Sequence, residues 1–378
     1  MRIGIVCYPT FGGSGVVATE LGLELSRKGH TVHFITYRQP VRLELISKNV
    51  HFHEVNVPDY PLFHYQPYEL ALSSKIVDTV KMFKIDVLHV HYAIPHAYAA
   101  YMAKKMLFQE GIKLPIVTTL HGTDITLVGS HPFYKTAVTF SINSSDAVTS
   151  VSQSLKDDTQ RLFKIKKDIT VIPNFVDLNK YKSVGNQCPK GILAKDTERI
   201  ITHISNFRVV KRIPDVIHIF NNIRKEIPSK LLMIGEGPER ENAEKLCIDL
   251  NIENHVLFLG NSNEVNKILC FSDLFLLPSE TESFGLSALE AMASGVPVIS
   301  SDTGGLPELN LNGFSGYLSP VGDIMNMSKD ALSILKDSKI LLNFKKSAKV
   351  RASNFDIHQV VLSYESVYNK ALKNCISI

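Results

Sequence analysis

The chain has 378 residues, of which 44% are hydrophobic and 21% charged, and its net charge is +4. That length exceeds one ordinary core and suits two domains, and the composition is that of a soluble globular protein. A weak positive excess without a long basic run gives no argument for nucleic acid, although it suits an anionic small substrate. Cys7, Cys188, Cys247, Cys270 and Cys375 are scattered and form no CxxC pair, which suggests neither a disulfide framework nor a zinc knuckle. No 18-residue apolar stretch is present, so membrane insertion is not expected. The opening MRIGIVCYP reads as a first strand rather than a signal peptide, and a cytoplasmic location is the default expectation.

Taken in chain order, short β-rich runs alternate with helical patterns. IGIVCY (3–8) precedes a helix from about Val16 to Lys28, and TVHFITY (31–37), DVLHVHY (86–92), PIVTTLH (115–121), AVTSVS (147–152) and ITVIPN (169–174) follow. The pattern then resets with RIITHIS (199–205), KLLMIGEG (230–237), VLFLGN (256–261), LFLLPS (274–279) and PVISSD (297–302). Such alternation predicts two parallel sheets covered by helices. Residues 175–198 lack periodicity and read as the linker. Two α/β domains of this kind place ligands at the carboxyl ends of their strands.

Several strand ends carry chemistry. In YPTFGGSGVVATELG (8–22) glycines turn the chain into a helix, where backbone N–H groups can hold an anion. A plain strand–helix turn would look the same. Gly13 and Gly15 satisfy the first spacing of a dinucleotide fingerprint, but no glycine stands at 18 or 19, and the second strand ends TYRQ without an acidic residue. HVHYAIPHA (89–97) and TTLHGTD (118–124) bring His89, His91, His96, His121 and Asp124 to strand ends. They could in principle bind a metal, but no HExxH or comparable spacing supports it, so none is expected. His121, beside Gly122, points naturally into a ligand site. SNFRVVKRIPD (205–215) sets Arg208, Lys211 and Arg212 in a strand-to-helix loop. They could neutralise a diphosphate leaving group, or be a solvated surface cluster. MIGEGPER (233–240) ends a strand on two glycines, allowing close approach of backbone to a ligand.

SETESFGLSALEAMASGVPVIS (279–300) is the most informative stretch. If wholly helical, Glu282 and Glu290 would lie about 12 Å and roughly 80° apart, touching different parts of one long ligand. N–H groups of Ser283, Phe284, Gly285 and Leu286 would meet an anion between them. A carboxylate for a sugar, amides for a diphosphate and a carboxylate for a ribose fit a nucleotide-sugar. Glu290 among Ala, Leu and Met is hard to explain otherwise.

ESFGLSALEA resembles the E-x7-E motif of the retaining glycosyltransferases of the GT4 family. GGSG, HGTD, the basic loop, GEGPE and GGLPE (304–308) occur in the same order as in that family, over nearly the whole chain. The longer strings CYPTFGGSGVVATELG, HFHEV, HYAIPHA, TTLHGTDIT and SNFRVVKR resemble, more narrowly, the members that open bacillithiol biosynthesis. Those move GlcNAc from UDP-GlcNAc to the hydroxyl of L-malate. The resemblance implies a GT-B fold, two Rossmann-like domains with parallel sheets facing across a cleft. Residues 1–175 would bind the acceptor, with a C-terminal helix about 358–378 packing back on them, and residues 176–357 would bind the UDP-sugar.

The resemblance also implies roles. Glu282 would bind hydroxyls of the transferred sugar and Glu290 the ribose. Arg208 and Lys211 would neutralise the leaving phosphate, and His121 would sit beside the reacting sugar. Gly13, Asn206, Gly235, Gly237 and the 283–286 amides would complete the donor site. Ser14 and Tyr92 would hold the acceptor, and the residues near them add Thr119, Thr123 and Arg42 as donors for its two carboxylates. One departure stands out: many members space the Arg and Lys by five residues, whereas Arg208 and Lys211 are three apart and Asn206 occupies the five-apart position. The implied mechanism is front-face attack with retention, needing no metal or other cofactor. A homo-oligomer remains open. The competing readings are a GT4 enzyme with another acceptor, such as a phospho-inositol or glycan, a 2-epimerase of GT-B architecture, and a non-catalytic nucleotide-sugar-binding protein.

Overall fold

The computed structural model of the chain describes every residue except 11, 44–48, 58, 60–64, 183–193, 196, 263, 377 and 378. It divides into two compact units, Met1–Asn174 with Ile357–Ile378, and Phe175–Asp356. In the first unit β1 (Arg2–Val6), β2 (Thr31–Thr36), β3 (Val50–Glu54), β4 (Val87–His91), β5 (Ile116–Leu120), β6 (Ala147–Ser150) and β7 (Ile169–Val171) form one sheet in the order β3-β2-β1-β4-β5-β6-β7. All its pairings are parallel. VLHVH of β4 and IVTTL of β5 are buried throughout, as a parallel sheet covered on both faces requires.

The second unit repeats the plan. β8 (Arg199–Ile204), β9 (Ser229–Ile234), β10 (Val256–Gly260), β11 (Leu274–Leu277), β12 (Val298–Ser301) and β13 (Gly316–Ser319) form a parallel sheet in the order β10-β9-β8-β11-β12-β13. The helix Ile213–Glu226 shows how sequence builds this layer. Ile213, Val216, Ile217, Phe220 and Ile223 recur at helical spacing and bury one stripe against Ile201, Leu231, Met233, Leu274 and Leu276. Each such side chain removed from water stabilises the unit by about 1.5–3 kcal/mol.

Strands β3 and β13 were not expected from the sequence. β3 (VHFHE) is a half-buried edge strand carrying two histidines, and β13 (GYLS) is short and opens on glycine, so neither shows an apolar run. Gly316 is required there, because a Cβ would stand 1.7 Å from the Val298 carbonyl oxygen on β12. Of the stretch read as a linker, 183–193 and 196 lie outside the described residues. Its opening pairs Val176 with Asp356 and forms a short helix, Asn179–Lys182. Cys7, Cys247 and Cys375 are free.

The helix Ile357–Ile376 belongs to the first unit. Tyr364 and Tyr368 on it are fully buried, and Tyr368 Oη lies 2.8 Å from His89 Nδ1 on β4. Glu365 meets His30 at 2.8 Å, and Glu24 meets His358 at the same distance.

In both sheets the first strand of the unit sits inside, and the chain leaves it to one side, then the other. The switch points therefore fall between β1 and β4 and between β8 and β11. Loops leaving the carboxyl ends there diverge, which is where open α/β sheets bind ligands.

Candidate active site

At the switch point of the second unit, the loop after β8 and the loop after β11 are laced together. The Glu280 N–H donates to the Val210 carbonyl at 2.8 Å. That contact brings Lys211 Nζ onto Glu282 Oε1 as an ion pair, with side-chain exposures of 18% and 12%. The Ser279 hydroxyl donates to the same carboxylate oxygen at 3.2 Å. Behind the loop, the Gly305 N–H donates to the Glu282 carbonyl at 2.8 Å. Gly304 has φ +57, and a Cβ there would stand 2.0 Å from that same carbonyl oxygen. The GGLPE stretch thus presses on the acidic loop so closely that only glycine fits.

The helix that follows begins at Leu286, with Gly285 as its N-cap at φ 95 and no side-chain cap. Glu282 therefore precedes the helix, and the 80° separation expected for two helical glutamates does not apply. The uncapped first turn leaves its amides to other acceptors. Phe284 turns inward against Phe355, with ring centroids 5.6 Å apart, and Ser283 and Leu286 are half-buried. Glu290 lies on the helix with 7% exposure and accepts a hydrogen bond from Tyr181 Oη at 3.3 Å.

Gly235 and Gly237 follow β9. A Cβ at Gly235 would stand 1.8 Å from the Ser205 carbonyl oxygen, and one at Gly237 2.1 Å from that of Asn206. Their first role is to let the loops after β8 and β9 lie against each other. Asn206 and Arg208 are exposed. Arg208 makes no ion pair among the described residues, while its carbonyl accepts from the Lys211 N–H at 2.8 Å.

In the first unit the helix Gly13–Arg27 starts without a side-chain cap, and Gly13 is exposed. Gly15 is locked in place, since a Cβ would stand 2.5 Å from the Tyr8 carbonyl oxygen. Ser14 Oγ and Tyr92 Oη share a 2.6 Å hydrogen bond across the β1–β4 switch point. Tyr92 holds φ 84, a left-handed conformation rarely adopted by a bulky residue. Its ring packs on Tyr8 at 5.2 Å and on His121 at 5.1 Å.

His121 Nε2 lies 2.8 Å from Nδ1 of the fully buried His91. Burial lowers the His121 pKa to about 3 and that of His91 well below the usual range. Asp124 organises the turn, accepting from Ala93 N at 2.7 Å, Gly122 N at 3.1 Å and His121 N at 3.3 Å. Its burial outweighs these bonds and raises its pKa to about 6.

The structure gathers Ser14, Tyr92 and His121 at one switch point, and Lys211, Glu282 and the start of the 286–293 helix at the other. Thr123 opens a helical turn, Thr123–Leu127, and is half-buried. Thr119 is fully buried and its hydroxyl is spent on His89 Nε2 and Thr149 Oγ1, each at 2.7 Å. It supports the histidine layer rather than facing a ligand. Arg42 stands 3.8 Å from Glu20. Ser279 and Tyr181 went unnoticed in the sequence. Ser279 is three residues before Glu282, but Tyr181 lies in an aperiodic stretch that gives no signal. Among the described residues no three His, Cys, Asp or Glu are arranged to hold a metal, and no helix is long and apolar enough to cross a membrane.

Two parallel sheets of the same strand order, each with polar residues at its switch point, define a GT-B protein. Solved structures agree. A sucrose-phosphate synthase from Thermosynechococcus elongatus superposes with a TM-score of 0.80 at 18% identity, covering 99% of this chain and 100% of that one. HepE of Anabaena, solved in complex with UDP and glucose, gives 0.79 at 18% identity over 98% and 99%. Residues 11–180 match the family model Glycosyltransferase Family 4, and residues 187–351 match Glycosyl transferases group 1. An N-acetyl-alpha-D-glucosaminyl L-malate synthase of Bacillus anthracis is 46% identical over 376 residues, 99% of this chain and 98% of that protein. The chain belongs to glycosyltransferase family 4.

Proposed function

We propose that this glycosyltransferase moves GlcNAc from UDP-GlcNAc to the hydroxyl of L-malate, with retention at the anomeric carbon, in the cytoplasm. The choice of sugar and acceptor rests on likeness to the 46%-identical relative and its printed name. The observation that carries the chemistry is the Lys211–Glu282 pair at the β8–β11 switch point. A cation and a carboxylate side by side suit a ligand that offers a phosphate and a sugar hydroxyl a few atoms apart. In this reading Lys211 turns to the β-phosphate as negative charge grows on it, and Glu282 accepts from the sugar. The 286–293 helix start receives the diphosphate, and Glu290, held by Tyr181, takes the ribose hydroxyls. Asn206, Gly235 and Gly237 border this donor site, and exposed Arg208 is free to add a second positive charge. Ser14, Tyr92, Thr123 and Arg42 serve the acceptor's two carboxylates.

The malate oxygen bonds to the anomeric carbon on the face from which UDP departs. The bond from that carbon to the phosphate oxygen breaks, and a β-phosphate oxygen takes the hydroxyl proton. The protein contributes orientation and charge stabilisation instead of a nucleophile. Because Lys211, Arg208 and a helix start supply the positive field, no metal is needed. The test is UDP release from UDP-GlcNAc on addition of L-malate. Release only with the acceptor supports transfer, whereas tight UDP-GlcNAc binding without release favours a binding protein.

A further inference from the structure

His121 has two ring nitrogens, and they differ. Nε2 is engaged with His91 Nδ1 at 2.8 Å, the rings lying 22° from parallel. Nδ1 makes no hydrogen bond among the described residues, yet it is not among the polar atoms sealed from water without a partner. It is the nitrogen left open to a ligand. His91 is fully buried, and its own Nε2 is sealed without a partner.

Two neutral tautomer pairs can make the shared bond. In one, His91 Nδ1–H donates to His121 Nε2. The sealed His91 Nε2 is then a bare lone pair, and His121 shows an N–H at Nδ1. In the other, His121 Nε2–H donates to His91 Nδ1. His91 must then bury an unpaired N–H, and His121 shows a lone pair. Orphaned buried N–H groups are rare in folded proteins, so the sealed His91 Nε2 favours the first pair.

We propose that His91 is a positioning residue that fixes His121 as its Nδ1–H tautomer, so that His121 meets its ligand as a neutral hydrogen-bond donor and not as a base. The identity of the ligand rests on the function proposed above, but the tautomer does not. The surroundings agree. His96 Nδ1 is 2.6 Å from the His91 carbonyl and so carries its proton there. Asp124 receives the His121 backbone N–H and makes no hydrogen bond to the ring. Burial keeps the His121 ring neutral, with its pKa lowered to about 3.

The experiment is long-range 1H–15N correlation on the full chain labelled at histidine nitrogens, with His121 assigned by its loss in His121→Gln. The expected result is a protonated Nδ1 and an unprotonated Nε2 on His121. His91→Asn places an amide N–H where Nδ1–H stood and should keep this pattern. His91→Leu should give a mixture of tautomers and lower kcat about tenfold, as loss of one directed hydrogen bond implies, with His91→Asn recovering most of it. A protonated Nε2 on wild-type His121, or an unchanged His121 tautomer in His91→Leu, overturns the inference. The wild-type and His91→Asn spectra decide it even where His91→Leu does not fold. Absence of glycosyl transfer by the wild type would sink the proposed function and leave the tautomer to the spectrum.

Discussion

Removing Lys211 separates the structural from the chemical part of its role. The lysine and Glu282 have side-chain exposures of only 18% and 12%. An exposed pair contributes about 0.2–1 kcal/mol, and breaking a fully buried one costs about 3–5 kcal/mol. This pair stands nearer the buried limit. In Lys211→Met the Glu282 carboxylate still has its Ser279 partner and is in part exposed to water, so the cost falls below the fully buried limit. The net destabilisation should be about 1.5–3 kcal/mol, with a similar loss in Glu282→Gln. A double-mutant cycle by urea unfolding should give a coupling of about 1–2 kcal/mol. In turnover, Lys211→Met should lower kcat about 100-fold and raise the donor KM much less, because the phosphate charge it meets develops in the transition state. A coupling below about 0.3 kcal/mol together with near-normal kcat would refute both the pairing and the leaving-group assignment.

Glu290→Gln should weaken UDP binding by about 1.5–3 kcal/mol if the carboxylate holds the ribose, and unchanged affinity by calorimetry would remove that assignment. A chelator should leave the rate unaltered, and a metal-dependent rate would reopen the histidine cluster as a metal site. Stability should fall as pH drops below about 6.5. Buried His89 and half-buried His121 have pKa values lowered to about 3, and buried His96 and His203 to about 4. The unfolded chain therefore binds more protons between about pH 6.5 and 4, and each such proton costs the fold up to about 1.4 kcal/mol per pH unit. Asp124, raised to about 6, acts in the opposite direction between about pH 3.8 and 6 and offsets one histidine. Urea midpoints that stay flat from pH 7 to 5 would contradict the buried neutral histidines.

Much of this fold was legible because buried parallel strands print as short apolar runs, as LFLL of β11 and IVTTL of β5 do. β3 and β13 escaped because an edge strand with histidines and a four-residue strand opening on glycine leave no such run. Within the candidate site, Glu282 and Glu290 could be singled out by residue type, since a carboxylate in an apolar or glycine-flanked setting needs a reason, whereas Lys211 stood out from a surface cluster only through the family resemblance. Position within a layer could not. Thr119 looks like an acceptor ligand in TTLHGTD, but strand alternation and the β4–β6 register bury it between His89 and Thr149. Gly235 and Gly237 looked like ligand-facing glycines, and their tightest constraint is a carbonyl of the neighbouring loop. The His91–His121 bond joins residues 30 apart, a distance that only the pairing of β4 with β5 closes.

The proposed function is tested most directly by competition among acceptors at saturating UDP-GlcNAc, with products read by mass spectrometry. L-malate should yield a GlcNAc-malate mass and an equal amount of UDP. Succinate, which lacks the hydroxyl, should inhibit without forming product, and D-malate should react poorly. Preferential glycosylation of an inositol phosphate, a sugar phosphate or a glycan over L-malate would contradict the account and leave only membership of the family.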